Sequence, residues 1–177
     1  MLEYKYIANM TKNQENILIL PNIRSVENVG AMFRTSDACG INKIYLTGYT
    51  PTPLDRFGRK RNDIAKSALG AEEFVPWEYK KSLTSLLNKL KKEGYYIIAI
   101  EQNKNSIDYK KISARGGPAF GWKGGLVFIV GSEVLGISKN ILSKCDVIAE
   151  IPMKGKKESL NVAVAFGIIA FHFTHGA

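Results

Sequence analysis

Three stretches constrain this chain more than any others: Ile17, Leu18, Ile19 and Leu20, closed by Pro21; residues 95–100; and residues 126–130. None contains a charged or amide side chain. A strand with one wetted face alternates polar and apolar residues, so runs of this kind belong to strands covered on both faces. Residues 43–47 and 146–151 read as further strands, and 73–77 as a short extended piece. Helical patterns separate them. Leu83, Leu86, Leu87 and Leu90 fall at offsets 0, 3, 4 and 7 within 80–93, one apolar face stopped by Gly94. Residues 28–39 end at Gly40, 138–144 form a short helix, and 159–173 form a helix apolar on nearly every side. Strands alternating with helices put the chain in the α/β class, a mostly parallel sheet with helices on both faces. The last helix needs cover all round, more than one face of a small sheet provides; a second subunit would supply it.

A length of 177 residues suits one domain, 1–177, and no repeat or linker divides it. Lys and Arg number 25 against 16 Asp and Glu, a net charge of +9 with a pI near 9.5. That surplus favours a polyanionic partner, nucleic acid before an acidic membrane surface. Two cysteines in no metal-ligand spacing, and a start of mixed charged and polar residues, fit a reducing, cytoplasmic setting. The longest apolar stretch, 160–173, is too short to span a bilayer. His172 and His175 are the only histidines, so neither a metal site nor a histidine-dependent triad is expected.

Ligands of open parallel sheets sit at the carboxyl ends of the strands. Three polar, glycine-containing segments fall there: 22–30, 131–136 and 152–161. The absence of GxxxxGK[ST] and GxGxxG argues against nucleotide hydrolysis and dinucleotide binding. In the first segment Asn28 leads into a helix, with Arg34 about a turn and a half further on. A guanidinium suits phosphate, but a surface arginine behind a helix-capping asparagine is an equal reading. In the second, Glu133 stands near the ligand edge, or simply caps the next turn. In the third, Ser159 fits a helix N-cap. Asn161, one step inside an apolar helix, needs partners for its amide and is the sharpest pointer to a site.

Taken in order, NVGAMFRTSDACGI, GLVFIVGSEVLGIS and IPMKGKKESLNVAVAFGI closely resemble the three motifs of the SpoU (TrmH-type) family of SPOUT RNA methyltransferases. IAKSALGAEEFVPW, between the first two, is similar to the family's middle segment. The resemblance runs from about residue 16 to residue 173. It implies S-adenosylmethionine as methyl donor, a ribose 2′-hydroxyl of tRNA or rRNA as acceptor, a C-terminal trefoil knot, and a homodimer built on the last helix. It assigns Arg34 to the acceptor side, working with an RNA phosphate, and Asn28 to orienting the hydroxyl or Arg34. Glu133 matches the acid of the second motif, and Ser159 and Asn161 the polar pair of the third. Gly131, Ile151 and Leu160 match positions whose backbone surrounds the donor's adenosine, with Met153 lining it. Many relatives carry an N-terminal RNA-binding domain, for which the residues before the first strand leave no room.

RNA would then be held by this domain or by a partner. Arg56, Arg59, Lys60, Arg61 and Lys66 form one basic cluster, and Lys104, Lys110, Lys111, Arg115 and Lys123 another. Solvated loop charge is the bland alternative. Phe57, Phe120 and Trp122 lie among these charges, placed to stack on unpaired bases or to pack in the core. Two other functions stay open: a catalytically silent RNA-binding module of the same fold, and a SPOUT enzyme that methylates a base.

Overall fold

The computed structural model describes residues 15–112 and 125–175; the expectations for Arg115, Phe120, Trp122 and Lys123 fall outside them. In chain order the elements are β1 (Ile17–Pro21), α1 (Val26–Cys39), β2 (Lys43–Thr47), α2 (Asn62–Ala68), α3 (Ala71–Phe74), β3 (Trp77–Lys80), α4 (Leu83–Lys92), β4 (Tyr95–Ile100), β5 (Ile107–Asp108), a 3-10 turn at Tyr109–Lys111, β6 (Gly125–Val130), α5 (Lys139–Leu142), β7 (Val147–Glu150) and α6 (Val162–His175). The strands form one sheet in the order β3-β2-β1-β6-β4-β7-β5. Every pairing in it is parallel.

The three apolar runs take the middle of the sheet, and central β6 is buried at every residue. Alternate side chains feed two cores. Leu18, Leu20, Ile98, Phe128 and Val130 face α1 and α6, meeting Met32, Phe33, Phe166 and Ile169. Ile17, Ile19, Ile97, Val127 and Ile129 face α4 and α5, meeting Leu86, Leu87, Leu90 and Ile141. Helices thus cover both faces, as the unbroken apolar runs require.

Several boundaries depart from the sequence reading, each for a local reason. The helix expected at 28–39 begins at Val26, because Ser25 is its cap and accepts the Asn28 N–H at 3.0 Å. Residues 71–74 are a helical turn rather than extended, and the strand follows at Trp77–Lys80. The last helix starts at Val162, and Asn161 rather than Ser159 caps it: Oδ1 accepts the N–H groups of Ala163 at 2.9 Å and Val164 at 3.4 Å. Asn161 is therefore neither helical nor buried.

Helix α6 is apolar all round but only partly covered. Phe166, Ile169, Ala170 and Phe173 are buried, whereas Val164 is 50%, Ile168 37% and Phe171 42% exposed. With Ala31 and Thr35 of α1, the three exposed residues line an open apolar groove. Phe166 belongs wholly to the core. Among the described residues, no helix is long and apolar enough to cross a membrane.

Candidate functional site

From β1 the chain builds outward to β2 and β3, then returns to β1's other flank, where β6 lies beside it. The carboxyl ends of β1 and β6 therefore flank a topological switch point, the usual ligand crevice of an open parallel sheet. The loop leaving β6 is a tight hairpin in which Ser132 and Gly136 exchange backbone hydrogen bonds of 3.3 and 3.0 Å. Glu133 at its turn reaches across the crevice. Its carboxylate accepts the N–H groups of Arg24 at 3.1 Å and Ser25 at 3.2 Å, and the Asn28 amide Nδ2 at 3.0 Å. Asn28 Oδ1 in turn accepts Asn161 Nδ2 at 3.0 Å.

The direction of this relay is set at its two ends. The first N–H groups of α6 need an acceptor, so Asn161 turns Oδ1 to them and donates through Nδ2. Asn28 must then accept through Oδ1 and donate to the anion of Glu133. One hydrogen-bonded chain thus joins the three segments that the sequence places at strand ends.

Burial works against the charge on Glu133, but the donors of Asn28, its own N–H, Arg24 and Ser25 outweigh it and hold the carboxyl below its ordinary range. A depressed folded pKa gives stability that is complete above the unfolded value, near 4.5, and lost as pH falls through the lower folded value. Acid unfolding should therefore show a Glu133 component in that window. Glu133→Gln should remove it; an unchanged acid profile for the variant would contradict the assignment.

Beside the relay lies a cavity of about 470 Å³ at the ends of β4, β6 and β7. Gly131, Glu133, Ile151, Met153, Ser159, Leu160 and Asn161 all line it, which brings most of the candidate donor and catalytic residues to one place. Asn28 reaches it only through its hydrogen bonds. Any side chain at Gly131 would fill space already taken, since a Cβ there would lie 2.8 Å from the backbone of Gly136. Glu101 and Gln102 also line the cavity. No motif singles them out; their one signal in the sequence is that they directly follow an apolar strand at the ligand edge.

Arg34 is not part of this cavity. It is exposed, and it makes no hydrogen bond or ion pair among the described residues. Six residues along an α-helix separate it from Asn28 by about 9 Å and about 120° of rotation. One copy of α1 does not aim both side chains at the same point.

The basic loop after β2 is largely neutralised from within. Arg59 pairs with Asp55 at 2.8 Å, Arg61 with Asp63, and Lys60 with Glu73 and, at 3.1 Å, with the buried Glu72. Arg56 makes no ion pair among the described residues and lies 4.7 Å from the ring of Phe57, itself 65% exposed. Lys104 is exposed in the loop after β4.

A family model described as the SpoU rRNA Methylase family matches residues 15–171. A Staphylococcus saprophyticus protein assigned to the TrmH family of tRNA/rRNA methyltransferases is 32% identical over 155 residues, covering 88% of this chain and 56% of its own length. The chain therefore spans little more than half of that curated relative. Among solved structures, an AdoMet-bound rRNA methyltransferase from Sinorhizobium meliloti superposes with a TM-score of 0.79 at 24% identity, over 93% of this chain and 57% of that one. The A. aeolicus TrmH/SpoU tRNA modifying enzyme does so with a TM-score of 0.76 at 23% identity, over 99% and 84%. These two likenesses establish the fold. The family match over nearly all the described residues, together with the 32% identical relative, shows that the chain belongs to the SpoU rRNA methylase family.

Proposed function

We propose that this domain transfers a methyl group from S-adenosylmethionine to a ribose 2′-hydroxyl of RNA. The observation that carries the proposal is the Asn161–Asn28–Glu133 relay beside the cavity, because it unites the three motif segments at one switch point. The residues present fit the donor. The cavity lies within the size range of small-molecule sites. It offers apolar surface from Ile151, Met153 and Leu160, and polar groups from Ser159 and Asn161. When bound, S-adenosylmethionine supplies an electrophilic methyl group on a sulfonium centre.

The protein's part is to position and activate a weak nucleophile. Glu133 is a poor general base, since its charge is stabilised by four donors and its pKa is lowered. His172 packs edge-on against Tyr109 at 5.1 Å and lies about 16 Å along α6 from Asn161. Arg34 offers the planar donor fork of a guanidinium. It holds an RNA phosphate and stabilises the developing alkoxide, while the proton passes to phosphate or water. Because Arg34 faces away from Asn28, we place it in the site of a second copy, docked through the exposed stripe of α6.

The test is transfer of labelled methyl from S-adenosylmethionine to total RNA, followed by digestion to nucleosides. Label in 2′-O-methyl nucleosides supports the proposal; label in a base, or none, overturns it. RNA capture yields a narrower prediction. Arg59, Lys60 and Arg61 already hold internal partners, so Arg56 is the cation of this loop that releases a counterion on binding. Arg56→Ala should weaken RNA binding and reduce the slope of log K against log salt by about 1. S-adenosylmethionine binding should be unchanged, and an unaltered slope would assign phosphate contact elsewhere.

A further inference from the structure

Glu101 is the first residue beyond β4, between β6 and β7 on the ligand edge. Its Oε2 accepts the Ile137 N–H at 2.8 Å and its Oε1 accepts the Gln102 N–H at 2.9 Å. The Gln102 side chain donates to the Ile151 carbonyl at 3.4 Å. The two residues thus fasten the loops after β6 and β7 to the end of β4. Glycines allow the approach: a Cβ on Gly131 would lie 2.8 Å from Oε2, and one on Gly136, where φ is +62°, would lie closer still.

Three carboxylates line the cavity, and they differ in what is left to them. Glu133 serves Arg24, Ser25 and Asn28. Glu150 takes the Ser106 hydroxyl, on the side toward β5. Each oxygen of Glu101 holds a single N–H, which leaves each with acceptor capacity. Among the described residues no lysine or arginine pairs with it. A carboxylate with two spare acceptor sites, one on each oxygen, matches a pair of neighbouring hydroxyls and disfavours a phosphate.

We propose that Glu101 binds the ribose hydroxyls of the donor's nucleoside and so selects an unphosphorylated ribonucleoside; this rests on the S-adenosylmethionine reading above. Acids at strand ends take a ribose hydroxyl in dinucleotide sites of open parallel sheets. Here the same chemistry stands on a sheet without that glycine fingerprint. A hydrogen bond to a charged group is the strong kind, so each hydroxyl read should contribute about 10- to 100-fold in affinity.

The experiment is calorimetric titration of the full chain with S-adenosylhomocysteine and with its 2′-deoxy and 3′-deoxy analogues. On the unaltered protein, at least one analogue should bind about 10- to 100-fold more weakly than the parent. Glu101→Gln keeps an acceptor for the Ile137 N–H but loses the charge. It should bind the parent at least about 10-fold more weakly and narrow the gap between parent and analogue. Both deoxy analogues binding the unaltered protein as tightly as the parent overturns the role of Glu101 and leaves the donor reading standing. No binding of S-adenosylhomocysteine at all overturns the donor reading itself. If the variant fails to fold, as thermal unfolding would reveal, the analogue series on the unaltered chain decides.

Discussion

Arg34→Ala should lower the rate of methyl transfer to RNA by about 10²-fold or more, the scale of losing one donor aimed at transition-state charge. S-adenosylmethionine should bind the variant almost as before, because Arg34 lies outside the cavity. Folding should also be intact, since the side chain is exposed and makes no ion pair or hydrogen bond among the described residues. Arg34→Lys keeps the charge but not the planar fork, and should recover only part of the rate. Near-normal turnover by a folded Arg34→Ala protein would remove Arg34 from the mechanism. Mixing copies carries the argument further. If Arg34 acts across an interface, mixed assemblies of Arg34→Ala with Asn161→Ala contain one intact site and should regain activity that neither variant shows alone.

The second large effect concerns the exposed stripe of α6. Val164, Ile168 and Phe171 present apolar surface beside Ala31 and Thr35 of α1. A contiguous patch of this kind on a helix that is otherwise core marks an interaction surface, and a two-fold pairing would place the same patch against itself. Light scattering at micromolar concentration should give the mass of a dimer. Val164→Asp combined with Phe171→Glu should give a monomer, because each buried carboxylate would lack a partner. Methyl transfer should fall at least as far as for Arg34→Ala, since every site would lose its partner's arginine. A monomeric mass for the unaltered chain, or full activity in the monomeric variant, would contradict the arrangement.

Much of this was legible from residue order alone, for identifiable reasons. Runs such as 126–130 lack any polar position, and only a strand covered on both faces tolerates that. The leucines of α4 share a face because their spacing follows the helical period. These are properties of neighbours in sequence, so they survive without knowledge of the rest of the chain. The three motif segments were also visible, because glycine and polar residues directly after apolar strands fall at the ligand edge wherever the sheet is parallel. The family resemblance then attached chemistry to Asn28, Glu133 and Asn161.

What tertiary structure alone decided are the relations between segments far apart in the chain. Strand order depends on which apolar faces meet, and nothing local to β6 says that it separates β1 from β4. Asn161 looked like a buried amide inside a helix; it is a cap whose free end donates to Asn28, 133 positions away. The cations at 59–61 looked available, yet Asp55, Asp63, Glu72 and Glu73 hold them once α3 folds back on the loop. Glu101 carried no motif, and its place in the cavity exists only because Gly131 and Gly136 let the backbone close on its carboxylate. Local pattern sets which backbone conformation each stretch can afford; hydrogen bonds and ion pairs between distant polar groups form only after the packing of the apolar faces has brought those groups together.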